Sequence, residues 1–379
     1  MRGKFRQFLF LILIAGFLLM DAARYIPVDG AFQTWLEANA PRQTSPARLL
    51  LVELSDEELA AGSPMEASLF VNAALGFEPR VVAIESVPDL QTEQIPLLRH
   101  QLLRAPKGLL GATFGFLEDP LFWPPVQEVP VLRHVAGGDA SRVPEFPVIA
   151  AQPPEDLRGA AALGFFAPTD GARTVRRVPL VFRYRGFVVP SFALRAAMLW
   201  HGVTPEEVTV APGSHIALGK LRIPVDAAGT MAVDFAAPVT RLSAGDLILA
   251  AEVGTPVDVL KDGFALLART DAQSRTLPLA NGRNGSRGEL TAAAIATLQA
   301  GRFATRAGWP VEAALIAGAG LLGWLCRRRK KTGAIVLCTG VFAVYLLAAL
   351  AIFAQCGLVL PFLLPAGLLL FLILFHATD

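Results

Sequence analysis

The residues in this chain that could do chemistry are basic side chains beside glycines, and the first group lies in a short loop. Residues 282–288 are glycine-rich and basic, and they come directly before a predicted helix. Backbone N–H groups at a helix N-terminus are free to bind anions. We therefore expect an anion site that uses Arg283, Ser286 and Arg287. The alternative is a flexible capped turn in which Ser286 serves only as the N-cap.

A second basic group lies on a predicted β-hairpin nearer the N-terminus. Five arginines crowd this short stretch: Arg173, Arg176, Arg177, Arg183 and Arg185. Alternate residues of a strand share a face, so Arg177, Arg183 and Arg185 are expected on one side of the sheet. Guanidinium groups bind carboxylates or phosphates through two parallel hydrogen bonds. The hairpin is thus a second candidate anion site, and the alternative is a face that is solvated or paired with acids.

Catalytic and metal-binding groupings are not found in the sequence. None of the five histidines has metal-ligand spacing to another histidine or to a cysteine. The chain has no Gly-x-Ser-x-Gly motif and no Walker-type loop. We therefore expect a protein without enzymatic activity, cofactor or metal. The near-even charge balance, a formal net charge of +2, also argues against a nucleic-acid partner.

Alternation of apolar runs and helical patterns predicts the layer that positions these sites. Buried strands are predicted at 49–54, 81–84 and 108–114, and helices at 65–76 and 91–104. Strands separated by helices at this spacing indicate a parallel α/β layer. Residues 115–160 are rich in proline, and we expect long loops there with one strand, from Phe146 to Ala151.

The second half of this segment is predicted to be richer in strands. Residues 174–184 alternate in polarity, and an Arg185-Gly186 turn leads into 187–189, which indicates a β-hairpin. Three further helices are expected, capped by Ser191 and Ser243 in two cases and covering Glu289 to Gly301 in the third. The predicted fold class is α/β, with a mixed α/β exported domain and transmembrane α-helices.

Four hydrophobic segments predict a multi-pass membrane protein. They are an N-terminal anchor at 1–23 and helices at 308–326, 333–354 and 358–375. A cleaved signal peptide is the alternative for the first segment. Five consecutive basic residues in the loop 327–332 indicate the cytoplasmic side, and the N-terminus is basic too. We therefore expect a bacterial inner-membrane protein with both termini in the cytoplasm.

This topology divides the chain into a linker at 24–47, an exported domain at 48–303 and a tail at 376–379. Because the tail is short, we expect no cytoplasmic signalling module in the chain, so that a message must pass to another protein. Small residues in the span at 308–326 allow close helix contact, either within the chain or with a partner's spans. They are Ala313, Ala317, Gly318, Ala319 and Gly323. The three cysteines lie in or beside spans, at Cys326, Cys338 and Cys356.

The order of several short motifs carries a family resemblance over roughly residues 45–303. The motifs are 51–59, 170–180, 189–194, 223–231, 242–248 and 288–295. Together with one N-terminal and three C-terminal spans, they resemble the second class of CHASE-type extracellular sensory domains, which are attached to bacterial cyclases and histidine kinases. The signature positions are Asp170, Gly171, Arg177, Pro190, Ser191, Gly229 and Gly288.

Departures from the family pattern put part of an ancestral site in doubt. Ser63-Pro64-Met65-Glu66 stands where a Trp-Pro-Arg-like sequence is usual. The second strand is followed by Glu85 where an Asp is usual, and Thr291 takes the place of a frequent histidine. We also expect the chain to lack the cyclase or kinase module to which the family's domains are attached.

The resemblance and the topology lead to one functional hypothesis with two alternatives. We expect a non-enzymatic membrane sensor whose periplasmic domain detects an unknown signal and relays it to a separate signalling protein, such as a cyclase or kinase. Its partners are then the lipid bilayer, that protein and, as the family implies, a second copy of the chain. The alternatives are an envelope binding or scaffold protein without a signalling role, and an exported enzyme whose site is unrecognised.

Overall fold

The computed structural model of the chain describes residues 14, 16, 28–40, 47–54, 66–86, 95–116, 129–168, 174–270, 277–326 and 331–378. The chain divides into two compact units. Thr44–Phe303 forms one, called here the α/β unit. Met1–Gln43 and Ala304–Asp379 form the other, called here the helical unit. The predicted class, mixed α/β with apolar helices, is confirmed.

The elements are numbered in chain order. The first are α1 (Val28–Asn39), β1 (Leu49–Leu54), α2 (Glu66–Leu75), β2 (Val81–Ile84), α3 (Ile95–Arg104), β3 (Gly108–Gly115), β4 (His134–Val135), β5 (Glu145–Phe146), β6 (Val148–Ala151), α4 (Glu155–Arg158) and β7 (Ala162–Phe166). Next come β8 (Arg177–Pro179), β9 (Val181–Tyr184), β10 (Phe187–Pro190), α5 (Phe192–His201), β11 (Val208–Ala211), β12 (His215–Leu218), β13 (Leu221–Pro224), β14 (Thr230–Ala232), β15 (Thr240–Ser243), α6 (Ala244–Val253) and β16 (Phe264–Arg269). The last are β17 (Leu277–Pro278), β18 (Asn284–Gly285), α7 (Arg287–Ala300), β19 (Thr305–Arg306), α8 (Trp309–Cys326), α9 (Lys331–Cys356), β20 (Leu358–Val359) and α10 (Leu363–Thr378).

The α/β unit is built on a seven-stranded sheet in the order β15-β1-β16-β2-β3-β6, with β7 also paired to β3. Every pair in it is parallel except β3 with β6. β1 and β2 are almost wholly buried because all their residues except Glu53 are apolar, as expected for strands with helices on both faces. The three strands predicted in the first half of the unit are confirmed.

Helices cover both faces of this sheet. On one face, α2, α3 and α6 contribute Phe70, Leu98 and Leu247 to a core shared with the inner strands. On the other face, α5 and α7 contribute Phe192 and Ile295 to a second core. The result is a three-layer α/β/α arrangement in which α5 and α7 begin near the carboxyl ends of the parallel strands.

The outer sides of α5 and α7 carry a third core that is rich in strands. Leu194 and Leu298 of these helices pack with Val181, Ile216 and Met231 from short sheets. These sheets have the orders β10-β9-β5, β13-β12-β11-β4 and β14-β8. Both α5 and α7 are therefore buried on two sides, which holds their first turns firmly in place.

The predicted hairpin is present, but its first strand is divided at Leu180. β9 pairs antiparallel with β10 around a turn in which Arg185 and Gly186 have φ angles of 52° and 80°. These positive angles suit a tight two-residue hairpin turn. β8 pairs with β14 instead, and the N–H of Leu180 donates to the carbonyl oxygen of Gly229 at 3.0 Å. The continuous strand predicted over 174–184 is wrong because its two parts pair with different strands, β8 with β14 and β9 with β10.

Strands β5 and β6 replace the single strand predicted from Phe146 to Ala151. β5 pairs with β9 and β6 pairs with β3. Pro147 lies between them and cannot donate to a ladder because it has no N–H group. The sequence patterns give no prediction for β7, although it pairs with β3 along its whole length. Gly164 at its centre weakens the strand signal.

Two helices of the helical unit are long and apolar enough, by length and composition, to cross a membrane. They cover Trp309–Cys326 and Thr332–Cys356, and overlap two of the predicted spans. Helix α10, Leu363–Thr378, overlaps the span predicted at 358–375, and the short strand β20 occupies the first residues of that range. That this segment spans the membrane stays a prediction.

A short parallel strand pair holds one end of the helical unit together. Thr305 of β19 lies opposite Leu358 of β20, and the N–H of Ala307 donates to the carbonyl oxygen of Val359 at 2.9 Å. α1 packs beside them, with Phe32 in a core shared with the end of α9. The start of α8, the end of α9 and the start of α10 thus lie at the same end of this unit.

Some predictions fall outside the described residues. They concern the helix start at Ser55, the N-terminal anchor apart from Ile14 and Gly16, the positions Asp170, Gly171 and Arg173, and the basic residues 327–330.

Candidate functional site

Ser286 begins α7 with a reciprocal pair of hydrogen bonds. Its Oγ accepts from the N–H of Glu289 at 3.1 Å, and Oε2 of Glu289 accepts from the N–H of Ser286 at 2.8 Å. Such a capping box satisfies donors that the first turn would otherwise leave free. The N-cap role weighed for Ser286 is therefore observed, and it fixes the direction in which Arg287 leaves the first turn.

Arg287 reaches the carboxyl ends of three parallel strands. Its Nε donates to Oε1 of Glu85, directly after β2, at 2.7 Å. Its Nη1 donates to Oγ1 of Thr113 in β3 at 3.4 Å. The centre of the guanidinium lies 4.6 Å from the ring centroid of Phe166, the last residue of β7. In open α/β sheets, ligands bind outside the carboxyl ends of the strands. Arg287 therefore lies where a ligand site is expected.

Glu85 is a buried acid whose only described ion-pair partner is Arg287. Its side chain is 4% exposed, whereas that of Arg287 is 30% exposed. Burial raises the pKa of Glu85 above its ordinary value of 4.5, while the charge and hydrogen bond of Arg287, and then Arg269, oppose that rise. The pair thus anchors the guanidinium at its Nε edge. Its Nη2 group makes no hydrogen bond within the described residues.

Gly288 allows this close approach. A Cβ atom at position 288 would lie 2.4 Å from the Cβ of Ala268 and 3.0 Å from Oε2 of Glu85. The Cβ of Ala268 is bonded directly to the backbone of β16 and cannot turn aside. Only glycine lets the first turn of α7 pack this closely against β16 and the acid.

A cavity of about 230 Å³ opens beside Arg287. It lies between the first turns of α5 and α7, the end of β7 and strand β8. Most of its wall is apolar, including Phe165, Phe166, Phe182, Phe192 and Leu290. Its polar groups are Arg177, Ser191, Arg287 and Thr291.

Arg177 enters this cavity from the opposite strand, and it is held by Asp226. Its Nε lies 3.0 Å from Oδ2 of Asp226, and it also donates to Oγ1 of Thr230 at 2.7 Å. Although burial opposes ionisation, hydrogen bonds from Thr230 and then the charge of Arg177 hold the pKa of Asp226 below 3.8. Gly229, with φ 70°, supplies the turn beside this pair.

The other hairpin arginines do not join Arg177. Arg183 forms an ion pair with Glu145 at 3.1 Å. Arg185 lies in the turn, with its guanidinium 5.4 Å from the Tyr184 ring. The Nη1 atom of Arg176 is buried without a hydrogen-bond partner among the described residues. The predicted common arginine face is therefore not formed, because the strand divides and two of its members pair elsewhere.

The remaining predicted positions divide between the cavity and the surface. Arg283 is exposed in the loop before α7, where its N–H donates to Oδ1 of Asn281 at 3.1 Å. Pro190 ends β10 and is buried. Ser191 caps α5 by accepting from the N–H of Leu194 at 3.3 Å. The structure thus joins one arginine from each predicted group, Arg177 and Arg287, at a single cavity.

Glu85, Thr113 and Phe166 were not predicted as site residues. The sequence signal for Glu85 was an acid directly after a wholly apolar strand, which marks the carboxyl edge of a parallel sheet. Phe166 could not be placed because β7 was not recognised as a strand.

The arrangement is suited to binding rather than to covalent chemistry. Its polar groups are guanidiniums and hydroxyls that already serve as caps or in helix hydrogen bonds. Within the described residues, no group of three or more His, Cys, Asp or Glu side chains could hold a metal ion. The absence of a cofactor or metal in the protein stays a prediction.

Comparison with known proteins gives one match. A family model described as CHASE2 domain matches residues 9–326. This range includes the whole α/β unit, the cavity, and helices α1 and α8. No curated protein and no solved structure matches the chain.

Proposed function

Since the chain belongs to the CHASE2 domain family, whose members are extracellular sensory domains, we propose that it is a non-enzymatic, membrane-anchored sensory protein. Its α/β unit lies in the periplasm and detects a signal. Its membrane helices relay that signal to a separate protein, such as a cyclase or a kinase.

The observation that carries the proposal is the position of α7. Its first turn contributes Arg287 to the cavity, and its last residue, Ala300, is joined to α8 by residues 301–308 alone. A ligand that changes the packing of the first turn therefore acts on the element that leads directly into a candidate span. Such a ligand biases α8 only to the extent that it binds two arrangements of α7 with different affinity.

The topology rests on charge and on the pairing of β19 with β20. The basic run at 327–331 lies between α8 and α9 in the sequence, and such runs stay in the cytoplasm. β19 and β20 lie at the other ends of these helices and pair with each other. This supports a bacterial inner-membrane location in which β19, β20 and the α/β unit are periplasmic and both termini are cytoplasmic.

One face of α8 supports a relay to a partner. Gly323 is buried within the chain, and a Cβ atom at Gly16 would lie 2.9 Å from Cδ1 of Ile316. Ala313 and Ala317 are exposed on the remaining face. Small residues let helices approach closely in a membrane, so this face can accept a span of the signalling protein or of a second copy of the chain.

Photo-crosslinking in native membranes tests the relay. A photoreactive amino acid replaces Ala317, and in the matched control it replaces Leu322, which is buried against the chain's own helices. We expect a crosslink from position 317 to a protein with a cyclase or kinase module, and only intrachain products from position 322. Crosslinks from position 317 to this chain alone contradict the relay. Crosslinks to envelope-assembly proteins alone contradict it too, and favour a scaffold.

A further inference from the structure

The cavity beside Arg287 has an electropositive wall, and this indicates the charge of its ligand. Arg177 and Arg287 both line it, whereas their partners, Asp226 and Glu85, do not. Each acid therefore contacts its arginine on the side away from the cavity, and the guanidinium group faces the cavity. A ligand of this cavity would be the signal that the proposed sensory protein detects, so its identity rests on that proposed function.

Two helix N-termini add to this potential. The first turn of α5 contributes Phe192 and Ala193 to the wall, and the first turn of α7 contributes Arg287. The N-terminus of a helix carries a partial positive charge of about half a unit. Ser191, which is 4% exposed, also lines the cavity, and its hydroxyl hydrogen has no acceptor among the described residues. Cations, helix ends and a hydroxyl donor thus converge on one volume.

The size and lining of the cavity limit the rest of the ligand. A cavity of about 150 Å³ with an apolar wall holds one benzene, and this cavity has about 230 Å³. There is room for one ring and a small substituent. Phe166 and Phe192 stack at 4.7 Å and present an aromatic wall, beside Phe165 and Phe182. Aromatic rings pack favourably in offset or edge-on contact with such walls.

We propose that this cavity binds a small monovalent anion with a compact apolar body, of the class of a monocyclic aromatic carboxylate. The ring lies among the phenylalanines, and the carboxylate accepts hydrogen bonds from the Nη2 group of Arg287 and from the Ser191 hydroxyl. Arg177 supplies the second positive charge. Burial of the ring and pairing of the carboxylate both require the first turn of α7 to stay in place.

Titration of the full chain in nanodiscs with benzoate and phenylacetate tests this proposal. Benzyl alcohol, which has a similar size but no charge, and acetate, which has the charge but no ring, are the matched ligands. We expect saturable binding of at least one aromatic carboxylate, measured by calorimetry. Benzyl alcohol should bind about tenfold or more weakly, as expected for loss of one charge-assisted hydrogen bond. Acetate should show no saturable binding.

Two variants connect the binding to this cavity. Leu290→Trp fills it from α7 while both residues of the Glu85–Arg287 pair are kept, and should weaken carboxylate binding about tenfold or more. Glu85→Gln/Arg287→Met removes both charges together, and should abolish the preference for the carboxylate over benzyl alcohol. Arg142→Met, on an exposed ion pair, is the control and should bind like the natural chain.

The proposal is overturned if neither aromatic carboxylate binds, if benzyl alcohol binds equally well, or if Leu290→Trp leaves affinity unchanged. The result of this titration can be distinguished from the result of the crosslinking experiment that tests the relay. Crosslinking from Ala317 to a signalling protein with no carboxylate binding leaves the sensory function standing with a different ligand. Carboxylate binding without such a crosslink leaves a binding protein without the proposed relay.

Discussion

Replacing Arg287 with methionine should destabilise the α/β unit by about 3 kcal/mol. Breaking a buried ion pair by removing one partner costs roughly 3–5 kcal/mol, because the remaining charge stays buried. The lower end applies because the Glu85 side chain is 4% exposed but that of Arg287 is 30% exposed. For a unit of this size, about 3 kcal/mol corresponds to a fall of roughly 6–12 °C in the unfolding midpoint.

The stability that Arg287→Met loses should increase with pH. Burial raises the pKa of Glu85 above 4.5, and removal of Arg287 takes away the largest opposing influence, so the pKa rises further. A carboxyl group whose pKa is raised on folding contributes stability that is present below its unfolded pKa and lost as pH rises through its folded pKa. The unfolding free energy of Arg287→Met should therefore be closest to that of the natural chain near pH 4.5, and the difference should grow as the pH increases.

Thermal unfolding of the full chain in nanodiscs, followed by circular dichroism at several pH values, measures both effects. The double variant Glu85→Gln/Arg287→Met should recover most of the loss, because no buried charge is left unpaired. Arg142→Met removes an exposed pair with Asp139 and should change stability by less than about 1 kcal/mol. A single variant at Arg287 no less stable than Arg142→Met refutes the claim that Glu85 depends on Arg287.

Two further substitutions test the support of Arg177. Asp226→Ala should lower the unfolding free energy by about 1–2 kcal/mol at pH 7, through lost hydrogen bonds to Ala228 and Thr230. Hydrogen bonds from Thr230 hold the pKa of Asp226 below 3.8 despite its burial. The difference in unfolding free energy between the variant and the natural chain should therefore shrink as the pH falls below 3.8. A difference that stays constant with pH in unfolding titrations contradicts this reasoning. Gly229→Ala should cost about 1–3 kcal/mol, because its φ is 70° and a Cβ would lie 2.4 Å from Cγ2 of Val181. Gly186→Ala, with φ 80° and no atom within 4 Å, should cost only about 1 kcal/mol, and an equal loss in both variants is the contrary result.

The parallel layer could be predicted from sequence because its strands are almost entirely apolar. β1 and β2 lie between helices on both faces, so their residues are apolar with the single exception of Glu53 near the end of β1. β7 escaped prediction because a glycine lies at its centre and its pairing partner, β3, is distant in sequence. The break at Leu180 could not be seen either, because alternation continues across it while the two halves pair with different strands.

The site was only partly predictable for a similar reason. The capping pattern at Ser286 is local, so the start of α7 followed from the sequence. The pairing of Glu85 with Arg287 joins residues 202 positions apart and depends on the order of strands in the sheet. Glu85 and Thr291 were noted only as departures from the family pattern, yet one anchors Arg287 and the other lines the cavity.

Labelling of Cys356 in intact cells tests the central claim, a sensory unit held outside the cytoplasm, most directly. Cys356 is exposed at the end of α9, while Cys326 and Cys338 are buried and can be replaced by alanine. With the outer membrane permeabilised, a membrane-impermeant maleimide should label Cys356 fully before the inner membrane is broken. A cysteine introduced at Arg328, in the basic run, should react only afterwards. Labelling of Cys356 only after lysis, with Arg328→Cys reactive from outside, contradicts the proposed topology and the relay built on it.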